Sequence, residues 1–168
     1  MKEFDYDLDY KKLDFTDEET RKLYRIGRGE QGVLLVRPYT NTICNHWRFK
    51  TPREAIISSN RIFGMYLDYR DEGDFIGMDM CRKFLEMGFP RARRYANHNS
   101  GRKYKTGTKE VLPQEEDNLS SKYAESARVF KKVRDIVAKS DVYVKMRKEW
   151  RAKAVSYTHL TLPTTLVV

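Results

Sequence analysis

Residues 91–105 read RARRYANHNSGRKYK, with six Lys or Arg, two Tyr and no acid. Guanidinium forks match phosphate oxygens in pairs, and Tyr rings stack on unpaired bases. Arg91, Arg93, Arg94, Arg102, Lys103 and Lys105 are therefore candidate phosphate contacts, with Tyr95 and Tyr104 as stacking partners. Arg48 and Lys50 precede a helix start at Thr51. They are further candidates, because a helix N-terminus attracts anions. The chemistry implied is nucleic-acid binding with little sequence specificity and no catalysis.

Other residues offer weaker chemistry. Gly27–Gly32, GRGEQG, has the glycine spacing of a dinucleotide loop. That motif needs a strand before it and a helix after it, and here the predicted order is reversed. The glycines read instead as a turn with positive φ. An alternative function is an enzyme acting on a phosphorylated or anionic small molecule, with Arg28 and His46 in one pocket beside Arg48. Cys44, His46, Cys81 and His98 lack the paired spacing of zinc modules, so no metal or cofactor is expected. Asp79 and Lys83, four residues apart, read as a surface ion pair. A helix–turn–helix around Gly88 is disfavoured by Phe84 and Arg94, which stand where that motif needs a small and an apolar residue.

These residues need elements to hold them. Thr51-Pro52-Arg53-Glu54 combines a cap, a first-turn Pro and a capping-box acid, and starts a helix that Gly73 ends. Asp74 caps the next helix, with Ile76, Met80, Cys81, Phe84 and Leu85 inward and Gly88 as its stop. Residues 97–114 read as a long polar loop, and 121–140 as a helix followed by another from Asp141 to about Lys153. Val33–Arg37 reads as a strand, Pro38–Asn41 as a turn, and ICNHWRFK as a second strand with Trp47 and Phe49 on its inner face. The expected fold is α+β, mainly α-helical: a single domain with a small β hairpin packed on helices.

The charge is uneven. Residues 1–19 hold eight acids and three bases, net −5, so the remaining residues carry +14 within a total of +9. Residues 1–16 interleave acids with Phe4, Tyr6, Leu8, Tyr10, Leu13 and Phe15, which suggests an extended acidic arm laying aromatics on a globular domain at 17–154. Such an arm also fits a third reading, a protein-interaction module with an acidic protein partner. Two cysteines, no signal peptide and no membrane-length apolar run point to a cytoplasmic protein without membrane attachment.

Two resemblances complete the reading. YRIGRGEQGVLLVRPY, HWRFKTPREA, GDFIGMDMCRKFLEMGFPRARRYANH and GRKY resemble domain of unknown function 4385, over roughly residues 4–150. The resemblance implies a small, single-domain cytoplasmic protein of a type found in bacteria, some eukaryotes and tailed phages. It implies no activity and no site residues. Val155–Thr165, VSYTHLTLPTT, resembles the translation of a common transposon-based sequencing adapter. Residues 155–168, which hold no charged side chain, are therefore read as a non-native tail, and His159 is given no role.

Overall fold

The computed structural model describes the backbone of residues 3–167 and the side chains of residues 3–156. The helices in chain order are α1 (Glu18–Arg21), α2 (Tyr39–Cys44), α3 (Pro52–Glu72), α4 (Phe75–Asn97), α5 (Lys122–Ala138) and α6 (Asp141–Val167), with a 3-10 turn at Tyr10–Lys12. Their starts follow local chemistry. Asp17, Thr51, Asp74 and Ser121 each accept a backbone N–H of the first turn of α1, α3, α4 and α5. Gly73 closes α3 in the left-handed conformation, φ 72°.

The α+β expectation is wrong: the described residues contain no strand, and the fold is all-α. The predicted hairpin dissolves into turns and α2. Thr40 is the local cause. Its Oγ1 donates to the Val33 carbonyl at 2.8 Å and accepts the Val36 N–H at 3.0 Å. The Thr40 N–H itself reaches the Val36 carbonyl at 2.8 Å. These bonds satisfy the backbone groups that a strand would have offered to a neighbour. The second predicted strand is pinned to helices instead. Trp47 Nε1 donates to the Phe84 carbonyl at 3.0 Å, and the Arg48 N–H reaches Ser58 Oγ at 3.0 Å. β pairing among the described residues is limited to an isolated bridge between Tyr104 and Val111.

α3, α4 and α5 pack on one another, while α2 and α6 flank α4. The first half of α4 is buried on all sides, from Phe75 through Leu85. The aromatics of the N-terminal arm join this core. Phe4, Tyr10 and Phe15 are buried and stack in series, at centroid distances of 5.6 and 6.1 Å, and Phe15 meets Tyr24 edge-on at 6.3 Å. The arm is a run of turns, not the extended segment expected. Gly32, with φ 79°, accommodates it, since a Cβ there would lie 2.0 Å from Phe4 Cζ.

Gly88 does not stop α4, which continues through Pro90 to Asn97. A Cβ on Gly88 would lie 2.4 Å from ring carbons of Phe130, so this glycine lets α5 approach rather than ending the helix. Gly88→Ala is expected to lower unfolding free energy by about 1–3 kcal/mol through overpacking. Urea unfolding checks this, and Gly88→Ala/Phe130→Leu should cost less than the two single changes together.

Candidate nucleic-acid interface

The continuation of α4 divides the basic stretch in two. Residues 91–97 are helical, and residues 98–105 begin an irregular segment that ends at α5. Arg93 is committed internally: it donates to the Asn118 carbonyl at 2.7 Å and Asn97 Oδ1 at 2.8 Å, tying the loop to α4. Arg91 and Arg94 are exposed and act on Glu30 of the glycine turn. Burial raises the Glu30 pKa, and these two charges oppose the rise. Tyr95 faces elsewhere, into a groove.

That groove has a volume of about 440 Å³ and is lined by Trp47, Arg48, Phe49, Lys50, Glu54, Tyr95 and Tyr123. The rings form one connected surface. Trp47 and Phe49 lie 5.0 Å apart, Phe49 and Tyr95 5.6 Å, and Tyr95 stacks on Tyr123 at 5.2 Å. The elements behind them are rigid: α4 supplies Tyr95, α5 supplies Tyr123, and the pinned 45–50 connection supplies the rest. Arg48 directs its guanidinium to the Trp47 carbonyl at 2.7 Å, while Lys50 is exposed at the entry to α3. Glu54 is the acid in the groove and sits in the first turn of α3, where its N–H meets Thr51 Oγ1 at 3.1 Å.

The loop half of the basic stretch reaches the same groove through Gly101. Its φ is 74°, and a Cβ there would lie 2.6 Å from Tyr95 Cζ. The backbone thus packs against the hydroxyl end of the Tyr95 ring, while Arg102 and Lys103 do not line the groove. Arg102 bonds Thr106 Oγ1 at 3.0 Å, and Lys103 Nζ sits 5.6 Å from the centre of the Tyr104 ring. Tyr104 and Lys105 are exposed.

Of the residues singled out from sequence, Arg48, Lys50 and Tyr95 therefore share the groove. Arg91, Arg93, Arg94, Arg102, Lys103, Tyr104 and Lys105 do not line it. Trp47, Phe49 and Tyr123 were not recognised as site residues. The period-2 pattern put Trp47 and Phe49 on the opposite strand face from Arg48 and Lys50, and only the non-strand backbone lets all four line one groove.

Among the cavities described, none is lined by both Arg28 and His46. Arg28 is exposed and pairs with Glu3 at 3.2 Å, while the His46 carbonyl accepts from Ser58 Oγ at 2.6 Å. Gly27 lines a cavity with Glu3, Arg25 and Trp150, separate from the groove that Arg48 lines. Gly27, Gly29 and Gly32 all have positive φ. Among the described residues no group of three or more His, Cys, Asp or Glu is arranged to hold a metal. Cys44 and Cys81 are free thiols, Cys81 within the core.

Asp79 and Lys83 correct another expectation. Both side chains are 0% exposed, so this is a core pair, not a surface one. Asp79 Oδ1 accepts from Arg82 Nε at 2.8 Å and from Tyr143 OH at 2.6 Å, and its other oxygen accepts from Tyr24 OH. Lys83 Nζ lies 4.0 Å away and donates to the Arg25 carbonyl at 3.3 Å. Burial would raise the Asp79 pKa, but Arg82 and Lys83, with the hydrogen bonds of Arg82 and Tyr143, hold it below the usual value. A carboxylate saturated in this way is a structural anchor and not a general base.

No helix among the described residues is long and apolar enough to cross a membrane. No curated protein and no solved structure matches the chain. One family model does match, over residues 5–153, which spans the groove, the basic loop and the buried Asp79 cluster alike. The chain belongs to that family, the domain of unknown function DUF4385.

Proposed function

We propose that this protein binds single-stranded nucleic acid through the groove between the 45–50 connection, α4 and α5, with little sequence preference and without catalysing a reaction. The observation that carries the reading is the convergence of Arg48, Lys50 and Tyr95 on a surface of four aromatic rings. Bases stack on such rings for about 1–3 kcal/mol each, whatever their identity. Arg48, Lys50, Arg102, Lys103 and Lys105 supply cations for the phosphates. A duplex keeps its bases stacked internally, so it would meet the cations but not the rings.

Fluorescence anisotropy with labelled single-stranded and duplex DNA and RNA, titrated with salt, tests this. Wild type is expected to prefer single strands, with affinity falling steeply as salt rises, by about 0.7 log units per log of salt for each phosphate contacted. Arg48→Glu/Lys50→Glu should weaken binding by about tenfold or more and flatten the slope. Tyr123→Ala should weaken single-strand binding by about fivefold or more while leaving duplex binding unchanged. Salt-insensitive affinity, or full binding by the charge-reversed variant, would sink the proposal.

A further inference from the structure

Glu54 lines the aromatic groove together with the four rings, Arg48 and Lys50. Its side chain is exposed, and its carboxylate forms no hydrogen bond or ion pair among the described residues. The two cations of the groove leave it free. Arg48 gives its guanidinium to the Trp47 and Cys44 carbonyls, at 2.7 and 3.4 Å, and Lys50 is exposed. The position of Glu54 is nevertheless fixed, because Thr51 caps the first turn of α3 through the Glu54 N–H. Opposite stand three rings in mutual contact: Phe49–Tyr95 at 5.6 Å, Tyr95–Tyr123 at 5.2 Å and Phe49–Tyr123 at 6.4 Å.

A surface for phosphates alone is weakened by an unpaired carboxylate, and a cage for a cationic ligand is weakened by Arg48 and Lys50. A ligand that suits all of these groups is a planar ring with hydrogen-bond donors on its edge and a phosphate attached. An ionised carboxylate only accepts, through two oxygens side by side. Among the common bases guanine alone offers two adjacent donors, the N1–H and the N2 amine. Adenine and cytosine set one amine beside an acceptor nitrogen, and thymine and uracil set one N–H between two carbonyls. In those bases an acceptor would face the carboxylate. We infer that Glu54 selects guanine at one position of the bound strand, accepting from N1–H and the N2 amine while the base stacks on the rings. This inference rests on the strand-binding reading of the groove and adds selection at one nucleotide, with the rest of the strand unread. The groove volume of about 440 Å³ lies within the roughly 300–1,000 Å³ of sites that enclose small molecules. The edge that Glu54 would read is free only in an unpaired base.

Fluorescence anisotropy at fixed salt tests it, with a labelled oligothymidylate and the same strand carrying one central guanine, adenine or hypoxanthine. The guanine strand should bind about five- to tenfold more tightly than plain oligothymidylate. Adenine, a purine that also stacks, should not give this gain. Hypoxanthine, which lacks the N2 amine, should lose most of it. In Glu54→Gln the ratio of guanine to adenine affinity should fall to about one, since the amide cannot accept through both atoms. Equal affinity of wild type for the guanine and adenine strands would overturn the selection and leave strand binding standing. A preference of the same size in Glu54→Gln would assign it to stacking and overturn the role of Glu54. Absence of binding to every strand would remove this inference together with the reading beneath it.

Discussion

Asp79→Asn should lower the free energy of unfolding by about 3–5 kcal/mol, the cost of removing one partner from a buried ion pair. The substitution keeps the shape of the side chain, deletes its charge and turns one acceptor oxygen into an NH2 donor. Arg82, 2.8 Å from the carboxylate, and Lys83, 4.0 Å away, would then face each other inside the core without their common counter-ion. The Tyr24 and Tyr143 hydroxyls, which both donate to Asp79, would each have to find an acceptor in a group that offers fewer lone pairs. Urea unfolding of the two proteins at neutral pH measures the loss. Adding Lys83→Met to Asp79→Asn should recover part of it, since one stranded cation is removed. A loss below about 1 kcal/mol would mean that the cluster does not hold the core together as described.

The second large effect is a rise in stability with pH between about 8 and 9. Burial pushes the Lys83 pKa down from 10.5 to about 8, against the opposing pull of Asp79. Between these values the unfolded chain holds a proton at this lysine that the folded chain has released. This lysine therefore adds up to about 1.4 kcal/mol of stability per pH unit across that window. Burial pushes the Cys81 thiol well above 9, so from about pH 9 the unfolded chain releases that proton first and offsets the gain. The net rise is about 1.4 kcal/mol. The gain has a ceiling. Tyr10 and Tyr69 are pushed up to about 12, mainly by burial, and Tyr24, Tyr39 and Tyr143 are also raised. Above pH 10 the unfolded chain loses tyrosine protons first, and stability falls again. Chemical denaturation from pH 7 to 11 should thus trace a rise to about pH 9, a plateau to about pH 10 and a fall beyond it. In Lys83→Met the rising limb should be absent and the fall should begin near pH 9, where the buried Cys81 alone acts. A rising limb of equal size in that variant would assign it to other groups.

The long helices were legible because their signals are local. A cap acts on N–H groups two or three residues away, which is why Thr51, Asp74 and Ser121 mark true starts and Gly73 a true stop. The polar segment after Asn97 was legible for the same reason, from Gly, Thr and Lys in a run. The hairpin failed because period-2 alternation is ambiguous in short runs, and the hydrogen bonds of Thr40 favour turns over a ladder. Gly88 failed because a glycine that ends a helix and a glycine that admits a neighbouring ring look alike in sequence. The difference is Phe130, forty-two positions away.

The same division runs through the candidate site. Composition alone established that the chain is basic outside an acidic N-terminal arm and that positive charge is concentrated at 91–105. Charge adds along a chain without regard to shape, so it can be read from the string. Which cations are available cannot. The fold ties Arg93 to Asn118, sets Arg91 and Arg94 where their charges act on Glu30, and gathers Arg48, Lys50 and Tyr95 with Tyr123 around one groove. It also takes Asp79 and Lys83, whose spacing alone suggests a solvated pair, into a helix buried on every side. Burial and long-range neighbours come from how helices pack, and packing depends on residues far apart in sequence.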